Sequence, residues 1–399
     1  MRAFFELGFL RNAGLSEAGR RWTCSLAAAA VSATMAFAST AGAAELRIII
    51  PEPDTNAYVK AMRNYAAYIE KNSDLEPKIF GKALMLAPDV PAGVRDGIAN
   101  MGFVVPAYVP AEFSEMNLMA NLSMLATSGE PSKSPHAAMS GAMMEYVLFN
   151  CPECLDQFQA QNQVFLSSAS TPPYSLLCRD QISSLDEMKG KKFRSGAANF
   201  SRWAGHVGAQ SVSLPSSEMY DAMSQGVVDC VILSTSELLG QSMIDITKSV
   251  LLRIPGGVFA GIANNNVNQD YWRALTPEQR ATLVKGSAAL VADVARFQDE
   301  NTKASEAAAS KAGIELKEPS AEVTAATDAF VKGDFAVIAE QFKTQYGVEN
   351  AEKKIAKAQE LISKWKALTN EIPDNYEALT ALYQKEIFDR LDLTTHGMN

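Results

Sequence analysis

The sequence predicts an α/β protein built in two lobes, and three observations predict it. Strand and helix patterns alternate in two successive blocks, from Leu46 to Val105 and again from Val164 to Leu233. A long helical stretch without a breaker follows the second block, beginning at Thr276 and reaching Gly313. The chain has 399 residues, 47% apolar and 20% charged, which is two domains' worth of ordinary globular composition.

The first element is an export signal. Arg20 and Arg21 precede an uncharged, weakly hydrophobic stretch from Cys24 to Ala44, which contains the small-x-small pattern Ala41-Gly42-Ala43. Residues 1–43 therefore read as a signal peptide, and the mature protein as soluble and extracytoplasmic, with no membrane insertion. Removing four Arg and two Glu with the signal takes 36 basic and 45 acidic residues to 32 and 43, a net charge of −11. Nucleic acids and anionic membranes need clustered Lys and Arg to displace counterions, so neither is an expected partner.

Leu46 to Ile50 is a continuous apolar run closed by Pro51, the pattern of a strand buried on both faces. Asn56 to Glu70 follows with helical spacing at Tyr58, Met62, Tyr65 and Ile69, and Pro77 to Phe80 completes a βαβ unit. Gly97 to Val105 gives another buried strand, running into a loop with Pro106, Tyr108 and Pro110; helices fill 112–125 and 135–149. In the second block the strands are Val164 to Leu166, Tyr174 to Cys178, Lys192 to Arg194 and Val227 to Leu233, with helices after Ser201 and over 217–225. Thr276-Pro277-Glu278-Gln279 then starts the long helix, with Thr as cap, Pro at the first helical position and Gln279 closing a capping box. Such a helix spans about 50 Å, enough to run across both lobes. Three more helices are expected over 321–331, 351–368 and 375–391, with Trp365, Tyr376 and Tyr383 packed.

Catalytic signatures are absent. The sequence holds no G-x-S-x-G elbow, Walker loop, H-E-x-x-H or Gly-rich dinucleotide turn. His136, His206 and His396 have no partners at metal-ligand spacing, and His396 falls in a tail expected to fray. No cofactor and no metal are expected. Four cysteines remain after the signal: Cys151, Cys154, Cys178 and Cys230, and in an oxidising compartment three pairings are open to them. Cys151-Pro-Glu-Cys154 lacks both a second C-x-x-C for zinc and a thioredoxin-like context, so a local structural disulfide is expected there.

A binding site is more specifically indicated. Gly190-Lys191-Lys192-Phe193-Arg194 alternates along a short strand and places Arg194 at its carboxyl end, where α/β sheets present ligands. Ser195 to Ser201, including Asn199, leads into a helix containing Trp203. A guanidinium beside a helix N-terminus suits a carboxylate, because Arg donates two parallel hydrogen bonds and the free amides add positive potential.

These residues resemble the solute-binding receptors of tripartite ATP-independent periplasmic (TRAP) transporters, a family often described as C4-dicarboxylate-binding. Carrying the resemblance are Ser184 to Arg194, the turn Val207-Gly208-Ala209, the run Ser217 to Asp229, and Tyr271 to Gln279 at the start of the long helix. The resemblance implies a periplasmic-binding-protein-like fold, a ligand cleft between the lobes, a long helix crossing both, and no enzymatic activity. It implies lobe I over 44–165 with 260–298 returning to it, and lobe II over 166–259 with 299–399 packing mainly on lobe II and the hinge.

The resemblance also implies that Arg194 grips a ligand carboxylate. Two departures shape the rest of the site. Tyr174 stands where many members have a second arginine, and Asp229 to Leu233 replaces a segment that usually ends in a binding Asn, leaving Leu233 there. With Tyr108 and Trp203 as further aromatic candidates, the ligand expected is a carboxylate with an apolar or aromatic body rather than a C4-dicarboxylate. Both Cys178 and Cys230 lie on strands of one lobe, the latter where the family usually has Gly, so the expected disulfides are Cys151–Cys154 and Cys178–Cys230. The expected function is a periplasmic receptor that delivers a small organic acid to the membrane permease subunits of a TRAP transporter. The competing readings are an envelope hydrolase with an unrecognised carboxylate pair, an ABC-type receptor and a sensory receptor.

Overall fold

The computed structural model describes residues 44–399. The expected export signal over 1–43 lies outside the described residues.

Lobe I begins with β1 (Ala44–Ile49), α1 (Ala57–Asn72) and β2 (Leu75–Phe80), then α2 (Val90–Arg95), β3 (Met101–Val104), α3 (Ser114–Ala120), α4 (Pro135–Glu145), α5 (Pro152–Ala160), β4 (Gln163–Val164) and β5 (Ser168–Ala169). Helix α1 forms because Asn56 caps it, accepting from the Tyr58 amide, and because Tyr58, Met62, Tyr65 and Ile69 make one buried face. The chain then crosses to lobe II, which comprises β6 (Tyr174–Cys178), α6 (Leu185–Met188), β7 (Lys192–Ser195), α7 (Ala198–His206), β8 (Gln210–Ser213), α8 (Met219–Ser224), β9 (Cys230–Ser234), α9 (Glu237–Gly240) and β10 (Ser249–Leu251). It returns through β11 (Ile262–Asn268), α10 (Gln269–Ala274) and α11 (Pro277–Lys311), and ends with β12 (Glu315–Lys317), α12 (Ala321–Tyr346), α13 (Ala351–Glu371) and α14 (Tyr376–Glu386).

Each lobe has one sheet. In lobe I the order is β2-β1-β3-β11-β4, with β5 also pairing β11; β1 runs parallel to β2 and β3, and β11 is antiparallel to its neighbours. In lobe II the order is β12-β10-β6-β9-β7-β8. Strand β7 is parallel to β8 and β9, while β6 is antiparallel to β9. The carboxyl ends of β1 and β3 in one sheet, and of β7 and β9 in the other, lead into the residues that line the cleft, as open α/β sheets do.

Two connections cross between the sheets side by side. The Thr171 and Tyr174 amides donate to the carbonyls of Phe259 and Gly257, and the Gly256 amide donates back to Tyr174. Gly257 is required there: its φ is +67°, and a Cβ would lie 2.8 Å from Met124 Cα. Helix α11 makes the third crossing. The capping box of Thr276 and Gln279 starts it as expected, and its 35 residues pack first along α1 and then on α9 and β12.

The C-terminal region departs from expectation. Beyond residue 299 the end of α11, β12 and the contact of α12 with α7 lie on lobe II, whereas α13 and α14 lie on lobe I. Helix α13 seats Trp365 against Gly141 of α4, where a Cβ would come within 2.1 Å of the indole. Glu145 of α4 takes hydrogen bonds from Trp365 Nε1 at 2.7 Å and Lys364 at 2.8 Å, and Tyr383 donates to the Ala137 carbonyl. The cause is a buried face on α4, whose covering partner comes from 220 residues further along the chain. Helix α12 is also longer than expected, running through Gly333 to Tyr346. Nor does the tail fray: His396 bonds the Phe165 carbonyl at 2.8 Å and meets the Trp272 ring edge-on.

The structure pairs Cys151 with Cys154 and Cys178 with Cys230. The second pair follows from register, since the two residues sit directly opposite on antiparallel β6 and β9 with Cα atoms 4.1 Å apart.

Candidate functional site

Between the lobes lies a cavity of about 60 Å³, walled by residues from both sheets. Strand β7 delivers Arg194 to it. That side chain is 2% exposed, and its Nε and Nη2 both donate to the Leu214 carbonyl, at 2.9 and 2.7 Å. Among the described residues no carboxylate forms an ion pair with Arg194. Its hydrogen bonds go to that one carbonyl, the Glu52 charge acts on it without contact, and its remaining donors are open to an anion.

Aromatic rings form much of the wall. On the lobe II side Tyr174 packs between Phe200 and Phe259, at centroid distances of 4.8 and 6.2 Å. On the lobe I side Tyr58 meets Phe103 edge to face at 5.0 Å. Val105, Met219, Leu233 and Ile262 add apolar surface. Burial pushes the Tyr58 and Tyr174 hydroxyls far above the usual tyrosine range, so both are neutral donors at physiological pH.

Two acids complete the wall. Glu52 follows β1, and its carboxylate accepts from Ser216 Oγ at 3.3 Å and from Gln241 Nε2. Glu237 opens α9 and accepts from Ser236 Oγ at 3.2 Å and Asn56 Nδ2 at 3.4 Å. Burial raises both carboxyls above the ordinary range, Glu237 to about 7, with the nearby Glu52 charge adding to the effect.

The lobes touch directly across this cavity. The Ser216 amide donates to Tyr108 Oη at 2.9 Å, Thr55 Oγ1 donates to the Gly240 carbonyl at 3.0 Å, and Glu52 is shared with Ser216 and Gln241 as above. The cleft is closed, and its closure is written in polar contacts between lobes.

Residues 89–343, more than half of the chain, match the family described as DctP, bacterial extracellular solute-binding protein, family 7. The chain belongs to this family. A curated relative, a solute-binding protein of Albidiferax ferrireducens, is 25% identical over 195 residues, covering 48% of this chain. The chain spans about half (54%) of the length of that relative. Among solved structures, a marine metagenome TRAP solute-binding protein specific for aromatic acid ligands, in complex with metahydroxyphenylacetate, superposes with a TM-score of 0.69 at 18% identity. The match covers 81% of this chain and 99% of that one. A TRAP periplasmic solute-binding protein of Bordetella bronchiseptica with bound (R)- and (S)-mandelate gives 0.66 at 22%, covering 80% and 99%. One from Rhodoferax ferrireducens, in complex with copurified benzoate, gives 0.69 at 17%, covering 81% and 98%. These structures share the two-lobed fold, and the family and its neighbours are binding proteins.

Within this DctP-family chain the structure brings Arg194, Tyr174, Tyr108 and Leu233 together on the cavity wall. It does not bring Trp203 there. The Trp203 ring is fully buried on the inner face of α7, stacked on Phe193 at 6.2 Å, with Nε1 donating to Thr327 Oγ1 at 3.0 Å. An amphipathic helix on the sheet buries Phe200, Trp203 and Ala204 together, and α12 covers them. Asn199 is likewise turned away, bonding Ser123 Oγ at 3.1 Å in a neighbouring recess. Sequence reasoning missed Glu52, Glu237, Tyr58, Phe103 and Phe259. The signal available for both acids is position: each follows the carboxyl end of a buried strand.

Proposed function

We propose that this protein is a periplasmic receptor that closes around a small organic acid and delivers it to the membrane subunits of a TRAP transporter, without enzymatic turnover. The observation that carries the reading is Arg194, buried in an interlobe cavity with no carboxylate among the described residues paired to it. Arg194 holds the ligand carboxylate, while Tyr174, Tyr108, Leu233 and Phe259 surround an apolar or aromatic body. A ligand touched by both lobes stabilises the closed form over the open one, and that difference is the signal a permease reads. The family membership, the aromatic acids bound by proteins of the same fold and the closed cleft support this. Among the described residues no helix is long and apolar enough to cross a membrane.

The test is a thermal-shift and calorimetry screen of monocarboxylates with aromatic bodies against succinate, malate and fumarate. Aromatic monocarboxylates are expected to raise Tm and the dicarboxylates to have little effect. In Arg194→Ala binding should be lost, at a cost of roughly 2–5 kcal/mol, with the fold intact. Retained affinity in that variant, or stabilisation by the dicarboxylates alone, overturns the assignment.

A further inference from the structure

We infer that the ligand carries a cationic nitrogen as well as a carboxylate, and that Glu52 and Glu237 recognise it: the cavity is built for a zwitterion. The inference rests on the carboxylate reading of Arg194 and extends it to the other charged groups of the same wall.

The cavity holds one guanidinium and two carboxyls, one from each lobe. Among the described residues no Lys or Arg forms an ion pair with either acid; their hydrogen-bond partners are the neutral groups of Ser216, Gln241, Ser236 and Asn56, and the charges of Arg194 and Lys82 on Glu52 and of Lys60 on Glu237 act without contact. Tyr58 Oη faces the same cavity, beside the Gln298 amide, without a hydrogen bond of normal geometry. These groups together make an acceptor-rich corner, since a carboxylate only accepts and a phenol oxygen can do so.

Charge balance selects the ligand. A plain carboxylate compensates Arg194 and leaves both acids facing an added anion in a largely apolar enclosure, where like charges are costly. An ammonium group on the same ligand supplies three donors and one positive charge. It gives Glu52 a counterion, and the Glu237 carboxyl, raised by burial, adds a hydrogen-bonding partner. Two charge pairs then form: Arg194 against the ligand carboxylate, Glu52 against the ligand nitrogen. A neutral hydroxyl in the same place satisfies one acceptor and leaves the charge uncompensated.

Two matched series test this by calorimetry at pH 7: phenylalanine, phenyllactate and phenylpropanoate, and the para-aminomethyl, para-hydroxymethyl and para-methyl benzoates. The expected result is that, in one series, the amine binds at least about tenfold tighter than both counterparts. Glu52→Gln should erase that lead, read as the ratio of the amine's Kd to that of the member bearing neither group, so that any change in cleft closure shared by all members cancels. Melting curves of the ligand-free variant report its folding, and the wild-type comparison decides the matter even if the variant does not fold. If the hydroxyl or unsubstituted acids bind as tightly as the amines, the zwitterion inference fails while the carboxylate reading stands. If none of the six binds, both fall.

Discussion

Ser216 gives its backbone amide to the hydroxyl of Tyr108 at 2.9 Å, so a side chain of one lobe caps the start of a helical turn in the other. The bond exists only when the cleft is shut. Tyr108→Phe keeps the ring and removes the acceptor, leaving that amide unpaired in the closed form alone. The expected result is a loss of about 1–2 kcal/mol of closure, read as a five- to thirtyfold weaker Kd for a bound acid. The ligand-free Tm should not change, and small-angle scattering should show a larger open fraction.

Protonation of Glu237 gives a pH signature. Its carboxyl is raised by burial to about 7 in the folded protein, from an ordinary value of 4.5. The folded state therefore holds the proton over a range where the unfolded chain has lost it. Stability from this group is complete below pH 4.5, declines as pH rises through 7, and stays lost above that. The neighbouring Glu52 pushes in the same direction, Lys60 weakly opposes, and Glu237→Gln isolates the contribution. In denaturant titrations the variant should gain on wild type from pH 4.5 to 7, by on the order of 3 kcal/mol at most. A difference independent of pH would overturn the assignment.

The two disulfides should contribute unequally. Cys178 and Cys230 are 52 residues apart, whereas Cys151 and Cys154 are separated by only three. Cross-linking restricts the unfolded chain more for the longer loop, roughly 4 kcal/mol against roughly 2. Replacing Cys178 and Cys230 together by Ala should lower the denaturation midpoint more than the same change at Cys151 and Cys154. Equal shifts would contradict the loop-entropy argument.

Gly141 offers a structural control far from the cleft. A Cβ there overlaps the Trp365 indole, so Gly141→Ala must push α13 from α4. The expected cost is about 1–3 kcal/mol of stability, measured by chemical denaturation, with ligand affinity unchanged in the folded fraction.

Local pattern and fixed geometry explain which parts of this molecule were legible. The strand of Leu46 to Ile50, the capped start of α11 and the cation at the end of β7 are visible because each is written in neighbouring residues. Strand β11 is not: Asn264, Asn265 and Asn266 carry no apolar or alternating pattern, yet they are buried, with Asn266 opposite Gly102 of β3 and Asn265 bonded to Tyr65 and Ser287. The nearness of Glu52 to Glu237 depends on two lobes meeting, the seating of α13 on α4 on a contact across 220 residues of chain, and no local spacing encodes either. Trp203 misled for a different reason. Its place beside the Arg194 strand is local, but which face of α7 turns to the sheet is set by Phe200 and Phe193.

Enclosure has a kinetic consequence. Arg194 and Tyr174 are almost without solvent contact in the closed form, and both lobes contribute to the wall around them. A captured molecule therefore leaves only after the lobes part, and its residence time is bounded by the opening rate. Bonds between the lobes such as Ser216 to Tyr108 and Thr55 to Gly240 then set how long it is held.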